Sequence, residues 1–425
     1  MNPTATASPE DDRTARRGVA ADDVAAYSRQ VAQTLTPWSQ QVETWERSGS
    51  LPPQVFADLG AAGLFRTRWA HGRTGGVPLA LALARECAKV NAGLALGVTL
   101  HSETFLSTLS RLARTERQRE ILAQSLRGDQ IGCFALTEPG GGSDIAGITT
   151  RADRDGGGWT ISGTKCFISN ADTATQGVVV AQTDLDGRGG LSLFLVPLTE
   201  PVARVSGIIE TSGVRSCATT IITLDGALPG DALLGRAGAG MTYVHQALQL
   251  ERLMIAAQLV EVAGRALRLA LEYARSRVTF EKRLLDHSVL SHRLADCRTE
   301  LWAAESFLRQ TAERVAAGLA VSHEVAALKL FCSTTAGTIV DECMQALGGR
   351  GYSAPYQLER CWRDFRVARW GAGSDEMMRE LVAGTFRRPD PEAAEWCRRA
   401  EQELFAPLAP APPGAENADG QWGAA

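Results

Sequence analysis

Glu251 sits in the run Leu250-Glu251-Arg252-Leu253, a carboxylate set among apolar residues of a long helical stretch. Most helical glutamates are solvated charges paired with a neighbour three or four positions away. Here Leu250, Leu253 and Met254 place Glu251 at or near the apolar stripe rather than opposite it. A carboxyl in such surroundings has a raised pKa and can accept a proton near neutral pH. A second candidate is the loop Thr137-Glu138-Pro139-Gly140-Gly141-Gly142-Ser143-Asp144. Its glycines let backbone N–H groups crowd an anionic pyrophosphate, and Ser143 adds a hydroxyl donor. Taken alone, a plain Pro-Gly turn explains the loop as well. General-base catalysis and diphosphate binding are the chemistries these residues could supply.

The composition sets bounds on everything else. A chain of 425 residues with 44% apolar content can bury a substantial core and holds more than one subdomain. A net charge of −4 and a pI near 6.0 argue against a general nucleic-acid or membrane-surface binder. No apolar run approaches the roughly 20 residues that span a bilayer. Residues 1–17 lack the apolar segment of a secretory signal. Nine cysteines are scattered singly without C-x-x-C spacing, so reduced cytosolic thiols are expected and a disulfide framework is not. His287 and His292, five apart, suit a helical metal pair poorly, and no metal is expected. Nor is there a strand-Gly-x-Gly-x-x-Gly-helix unit, so a Rossmann dinucleotide site is not indicated.

The elements that must hold these candidates follow from hydrophobic period. From Asp22 to about Gly128 apolar residues recur at three- and four-residue steps, as at Val55, Leu59 and Ala62 and through Val77–Val98. From Ile131 the period changes. Ile131–Leu136, Trp159–Ser162, Gly177–Gln182, Leu191–Pro197, Ala203–Ile209 and Thr219–Leu224 read as short strands, and Asp155-Gly156-Gly157-Gly158 as a hairpin turn. Helical period returns after Gly240 and persists to about Thr385, with Gly348-Gly349 stopping the helix that ends at Leu347. The expectation is an α+β protein: a tail at 1–20, an N-terminal helical domain at 21–129, a middle β domain at 130–236, a C-terminal helical bundle at 237–388, and a Pro/Ala-rich tail at 389–425.

Three stretches, Phe134–Ile145 (FALTEPGGGSDI), Trp159–Asn170 (WTISGTKCFISN) and Arg363–Glu376 (RDFRVARWGAGSDE), resemble the acyl-CoA dehydrogenase family of flavoenzymes. Arg277-Val-Thr-Phe280 and Gln345-Ala-Leu-Gly348-Gly349-Arg-Gly351-Tyr352 match two further family segments, and the resemblance runs from about Val24 to Phe386. It implies the family fold, with a β-barrel-like middle domain and a C-terminal four-helix bundle. Most of the family ends the third stretch in Tyr-Glu-Gly-Thr, whose Glu is the catalytic base. Ala372 stands there in this chain. The isovaleryl-CoA and long-chain branches keep their base where Glu251 lies, and the joint occurrence of Glu251-Arg252 with Gly-Ala-Gly-Ser at 371–374 resembles those branches. Glu376 is the rival carboxylate.

The resemblance also assigns roles residue by residue. FAD is the implied cofactor: Phe134, Leu136 and Thr137 line its isoalloxazine, Phe167 packs on the ring in place of the usual Trp, and Ser169 hydrogen-bonds near N5. Gly142, Ser143, Ser374 and Glu376 also contact it. Arg277, Phe280, Gln345, Gly348 and Gly349 reach the flavin of a neighbouring subunit, which implies a homodimer or homotetramer. Glu281 and Ser288 depart from the family's Gly and Gln. On the substrate side the resemblance names Ser143, Arg252 and Gly373, with the backbone N–H of Ala372 as oxyanion donor.

The implied reaction is α,β-dehydrogenation of an acyl thioester in the cytoplasm. Glu251 takes the α-proton and the β-hydride goes to flavin N5. The thioester is on CoA or on an acyl-carrier protein, and an electron-transfer flavoprotein is a possible acceptor. Two other classes fit the same fold: a flavin-dependent monooxygenase or nitrososynthase that needs no α-proton base, and a catalytically silent binding subunit.

Overall fold

Proline and asparagine punctuate the N-terminal helices where the computed structural model, which describes residues 19–185, 188–198, 201–387 and 390–405, begins and ends them. Helix α1 (Ala21–Leu35) buries Tyr27, Val31 and Leu35, a four-residue period on one face. Helix α2 (Val77–Val90) carries Pro78 in its first turn, where a missing N–H costs nothing, and buries Leu79, Leu83 and Cys87. Asn91 caps α3 (Ala92–Thr99) by accepting from the Leu94 N–H at 2.9 Å. The chain then runs into a π-helical turn, Leu100–Leu106. That turn carries Glu103 into a fully buried ion pair with Arg68 at 2.7 Å.

The middle segment forms one eight-stranded sheet. Its strands are β1 (Gly132–Ala135), β2 (Arg151–Asp155), β3 (Gly158–Ser169), β4 (Gln176–Leu185), β5 (Arg188–Pro197), β6 (Ala203–Ile209), β7 (Thr219–Leu228) and β8 (Leu233–Leu234). They lie in the order β6-β7-β3-β2-β4-β5-β8, and β1 pairs in parallel with β4. The hairpin turn read at 155–158 joins β2 to β3, with Asp155 opposite Gly158. β2 itself was not anticipated, because its exposed, charged residues offer no apolar alternation. Between Lys165 and Ile168 the β3–β7 register shifts, and Phe167 adopts φ 56°, the left-handed region. Such a bulge turns one side chain out of the sheet's alternation.

Beyond Gly240 come α4 (Gly240–Ser276), α5 (Ser288–Ala316), α6 (Ser322–Leu347), α7 (Leu358–Phe365) and α8 (Asp375–Ala383). At 37 residues α4 is about 55 Å long and buries Leu250, Leu253, Met254 and Ala257. Gly348 ends α6 at φ 58°. Between α4 and α5 a two-residue hairpin, β9 (Val278–Thr279) with β10 (Lys282–Arg283), turns through Phe280 and Glu281, both at positive φ. Glu281 thus adopts the backbone its glycine counterpart would take without strain. One buried cluster joins the N-terminal helices to the sheet, a second joins α4, α5 and α6 to α2, and Ala372 packs against both.

Where the sequence reading placed a tail from 389, a separate unit beginning at Ala383 contains helix α9 (Pro391–Leu404). Asp390 caps it by accepting from the Glu392 and Ala393 N–H groups, with Pro391 in the first turn. The Pro/Ala-rich run from Pro407 and residues 1–18 lie outside the described residues.

Candidate functional site

A cavity of about 1120 Å³ opens against the middle sheet, α4 and the segment leading into α8. Its wall brings together Phe134, Leu136, Thr137, Gly142, Ser143, Phe167 and Ser169 with Glu251, Arg252, Ala372, Gly373 and Ser374. These residues span 240 positions of sequence. Arg277, Phe280, Gln345, Gly348 and Gly349 do not line it; all five are exposed, Phe280 at 90%. Glu376 is also exposed and off the wall, 3.5 Å from Arg379, and its own backbone N–H and Ser374 lower its pKa. It faces solvent, so it is poorly placed to act as a base within the cavity.

The glycine loop is anchored from beneath. Glu138 accepts from Lys165 Nζ at 2.8 Å, from Thr149 N–H at 2.6 Å and Thr149 Oγ1 at 2.7 Å, and from Thr150 N–H at 2.9 Å. Lys165 also donates to the Leu136 carbonyl at 2.9 Å, and the Cys166 N–H donates to the Thr137 carbonyl. Burial alone would raise the Glu138 pKa, but these donors more than offset it and hold the carboxyl at about 2. Desolvation lowers the Lys165 ammonium to about 8, less than it would without Glu138. The pair therefore stays ionised at neutral pH and fixes the loop against β3.

Whether FAD suits the cavity can be asked of the backbone and the aromatics. A Cβ added at Gly140 or Gly141 would meet nothing within 4 Å, so both backbones face open space on the wall. That is the cradle a pyrophosphate needs. Phe167 is 62% exposed and Trp370 53% exposed, although both line the cavity. Arg366 lies over the Trp370 ring at 5.0 Å, and the aromatic surface still exposed in a concave site offers a flat ligand a place to stack. The residues present fit a flavin dinucleotide.

Glu251 lies half-buried on the cavity side of α4. Loss of hydration raises its carboxyl to about 7, against the opposing charges of Arg252 and Lys329. Arg252 Nε donates to the Ala372 carbonyl at 2.9 Å. Lys329, on α6 and fully buried, donates to the Gly373 carbonyl at 2.9 Å and lies 3.5 Å from Asp375. Asp375 also accepts from Ser333 Oγ at 3.0 Å and from Arg369 Nε. Two cations thus hold the two carbonyls of the Ala372–Gly373 turn, which runs at φ 53° and 105°. Among the described residues the Ala372 N–H donates to no protein acceptor, which leaves it available to an anionic oxygen. At Gly373 the φ of 105° favours glycine, while the nearest atom to an added Cβ, Met378 Cε at 2.9 Å, is the movable end of a flexible side chain.

Sequence reasoning missed Lys329, Asp375 and Arg369, and read Glu138 only as part of a turn. The signal available was charge within an apolar period, as at Glu251; Lys329 sits just so between Leu328 and Leu330. His245, six residues before Glu251 on α4, lines the cavity as well, its pKa lowered by desolvation and by Arg252.

If the turn contributes a backbone donor alone, the side chain at 372 is dispensable. Ala372→Gly is expected to keep kcat within about threefold of wild type, since glycine accepts the left-handed backbone. Steady-state turnover with an acyl thioester checks this. A hundredfold loss would mean that the methyl group, not the N–H, matters.

The family models for the acyl-CoA dehydrogenase N-terminal, middle and C-terminal domains match residues 23–129, 133–227 and 238–386. The acyl-[acyl-carrier-protein] dehydrogenase MbtN of Mycobacterium sp. (strain MCS) is 33% identical over 366 residues, 83% of this chain and 92% of that protein. The human mitochondrial short-chain specific acyl-CoA dehydrogenase is 32% identical over 351 residues, 82% of each chain. Among solved structures, a Mycobacterium smegmatis glutaryl-CoA dehydrogenase in complex with FADH2 superposes with a TM-score of 0.80 at 27% identity, covering 88% of this chain and 96% of that one.

Proposed function

We propose, since this chain belongs to the acyl-CoA dehydrogenase family, that Glu251 is the base with which it desaturates an acyl thioester. The enzyme is an FAD-dependent oxidoreductase of acyl thioesters. The observation that carries Glu251 is its place on the wall of the cavity that Ala372 also lines, next in sequence to Arg252, which holds the Ala372 carbonyl; most of the family has its glutamate at the Ala372 position. FAD, when bound, supplies the acceptor for the β-hydride. Glu251 takes the α-proton, forming a carboxyl O–H as the Cα–H bond breaks. The electron pair moves toward the thioester carbonyl, whose developing oxyanion the Ala372 N–H stabilises. Departure of the β-hydride then leaves the α,β-unsaturated thioester. Phe134, Leu136, Thr137, Gly142, Ser143, Phe167, Ser169 and Ser374 are the proposed cofactor contacts, and Ser143, Arg252 and Gly373 lie toward the substrate.

We read the exposed group Arg277, Phe280, Gln345, Gly348 and Gly349 as facing a neighbouring chain, in a homodimer or homotetramer. Two electrons leave through an acceptor for which an electron-transfer flavoprotein is the expected class. No helix among the described residues is long and apolar enough to cross a membrane, and all nine cysteines are free. The expected location is the cytoplasm.

A second reading concerns the carrier of the acyl group. The likeness to MbtN, a carrier-protein dehydrogenase, over 83% of this chain fits a carrier-bound thioester, as the comparable likeness to the human short-chain acyl-CoA dehydrogenase fits a CoA one. Comparing kcat/KM for one acyl group on CoA, on pantetheine and on a carrier protein separates the two. Equal rates on pantetheine and CoA with no gain from the carrier would remove the carrier reading.

The base also sets a pH profile. With the carboxyl at about 7, only its ionised form accepts a proton. The rate of flavin reduction by an acyl thioester is expected to fall about tenfold per pH unit below 7 and to level off above it. A profile flat from pH 5.5 to 8.5 would contradict Glu251 as base.

A further inference from the structure

We propose that Lys329 is a positioning residue of this reaction, holding the Ala372–Gly373 turn in place and lending its positive charge to Glu251 from behind the cavity wall. The inference rests on the dehydrogenase reading above.

A buried ammonium in the middle of α6 is costly unless it is paired. Lys329 has two partners, the Gly373 carbonyl at 2.9 Å and Asp375 at 3.5 Å, and both belong to the segment that carries the oxyanion donor. Its side chain is fully buried, so its charge is poorly screened. Desolvation brings Lys329 down to about 8, with Asp375 holding it up, so it is charged at neutral pH. Arg252, on the same helix as Glu251, and Lys329, on α6, are the cations that favour the ionised base. Asp375 and Arg369 act through Lys329, and His245 carries its own pKa lowered by Arg252. One lysine therefore couples two requirements of the proton-transfer step. It fixes the carbonyl face of the turn, which aims the N–H at the substrate oxygen. It also keeps more of Glu251 ionised than burial alone would allow.

The first variant is Lys329→Met. Asp375 keeps Arg369 and Ser333, so no buried charge is stranded. Lys329→Gln, which retains a donor toward Gly373, is the second variant, and Lys329→Arg the conservative rescue. The readout uses the holoenzyme and 3,3-dimethylbutyryl-CoA, which has α-hydrogens but no β-hydrogen, so proton removal is seen without flavin reduction. Exchange of the α-hydrogens with D2O is followed by mass spectrometry across pH. In the Met and Gln variants the acid limb is expected to move up by roughly one pH unit, slowing exchange at pH 7 about fivefold, with arginine restoring it. Gln is expected to recover the part of the rate that depends on the turn. A limb in both variants that coincides with wild type, in an enzyme that exchanges this probe and bleaches normally with an acyl thioester that carries β-hydrogens, overturns the role of Lys329 and leaves the dehydrogenase reading intact. A wild-type enzyme that neither exchanges this probe nor bleaches with any β-hydrogen-bearing thioester, on CoA or on a carrier protein, removes both.

Discussion

Glu251→Gln is expected to lower the rate of flavin reduction by an acyl thioester by roughly 10²–10⁴-fold, with FAD still bound. Glutamine keeps the shape and hydrogen-bonding capacity of the side chain but cannot accept the α-proton. The loss falls on kcat, because the interaction removed operates in the transition state. Stability should move the other way. A carboxyl whose pKa rises from its ordinary 4.5 to about 7 on folding stabilises the native state below the lower value. That contribution is lost as pH rises through 7. At pH 8 the folded protein therefore holds a poorly hydrated charge, and Glu251→Gln relieves it. Its thermal midpoint should exceed that of wild type at pH 8, and the difference should vanish by pH 4. Rapid-mixing flavin bleaching and paired thermal scans measure both. A variant that bleaches at near wild-type rate would place the base elsewhere.

Glu138→Gln is expected to cost about 3–5 kcal/mol, because it strands the fully buried Lys165 without its counter-ion. The same change turns one of the two acceptor oxygens beneath the glycine loop into a donor, so either Lys165 and Thr150 or Thr149 lose their acceptor. Flavin content should therefore drop along with stability. Replacing both partners, Glu138→Gln with Lys165→Met, should recover part of the loss, since no buried charge then lacks a partner. In wild type, Glu138 sits at about 2, below its ordinary 4.5, so the stabilisation it provides is present above pH 4.5 and disappears as pH falls through 2. Denaturant midpoints and bound-flavin absorbance measure the two effects. A single variant within 1 kcal/mol of wild type, with full flavin, would show that the loop does not depend on this pair.

What could be read in the sequence follows from which interactions are local. The switch from helical to alternating period near Ile131 and back near Gly240 located the sheet between two helical blocks, because burial on one face imposes those periods. Glu251 stood out because Leu250, Leu253 and Met254 flank it on an apolar stretch and because the family resemblance puts a base there. Glu138 and Lys165 lie 27 positions apart, and Lys329 and Asp375 lie 46 apart. In sequence each is one charge among many, and only the fold makes them buried partners. Very short elements such as β8, β9 and β10 carry too few residues for any period to register. Helix α9 shows the opposite error: its cap, Asp390-Pro391, was present, but the Pro/Ala-rich stretch that follows drew the whole segment into a tail. Exposed residues such as Arg277 and Phe280 acquired roles only through family resemblance, since nothing local distinguishes them from ordinary surface.

The most direct measurement of the central claim is an anaerobic titration of the purified protein with acyl thioesters of increasing length, on CoA and on a carrier protein. The account predicts one bound FAD per chain. With a matching substrate, it predicts bleaching of the flavin and one α,β-unsaturated thioester formed per flavin reduced, without O2. A protein that holds FAD but forms no enoyl product with any thioester, and whose flavin turns over only with a separate reductant and O2, would contradict the account and favour an oxygenase.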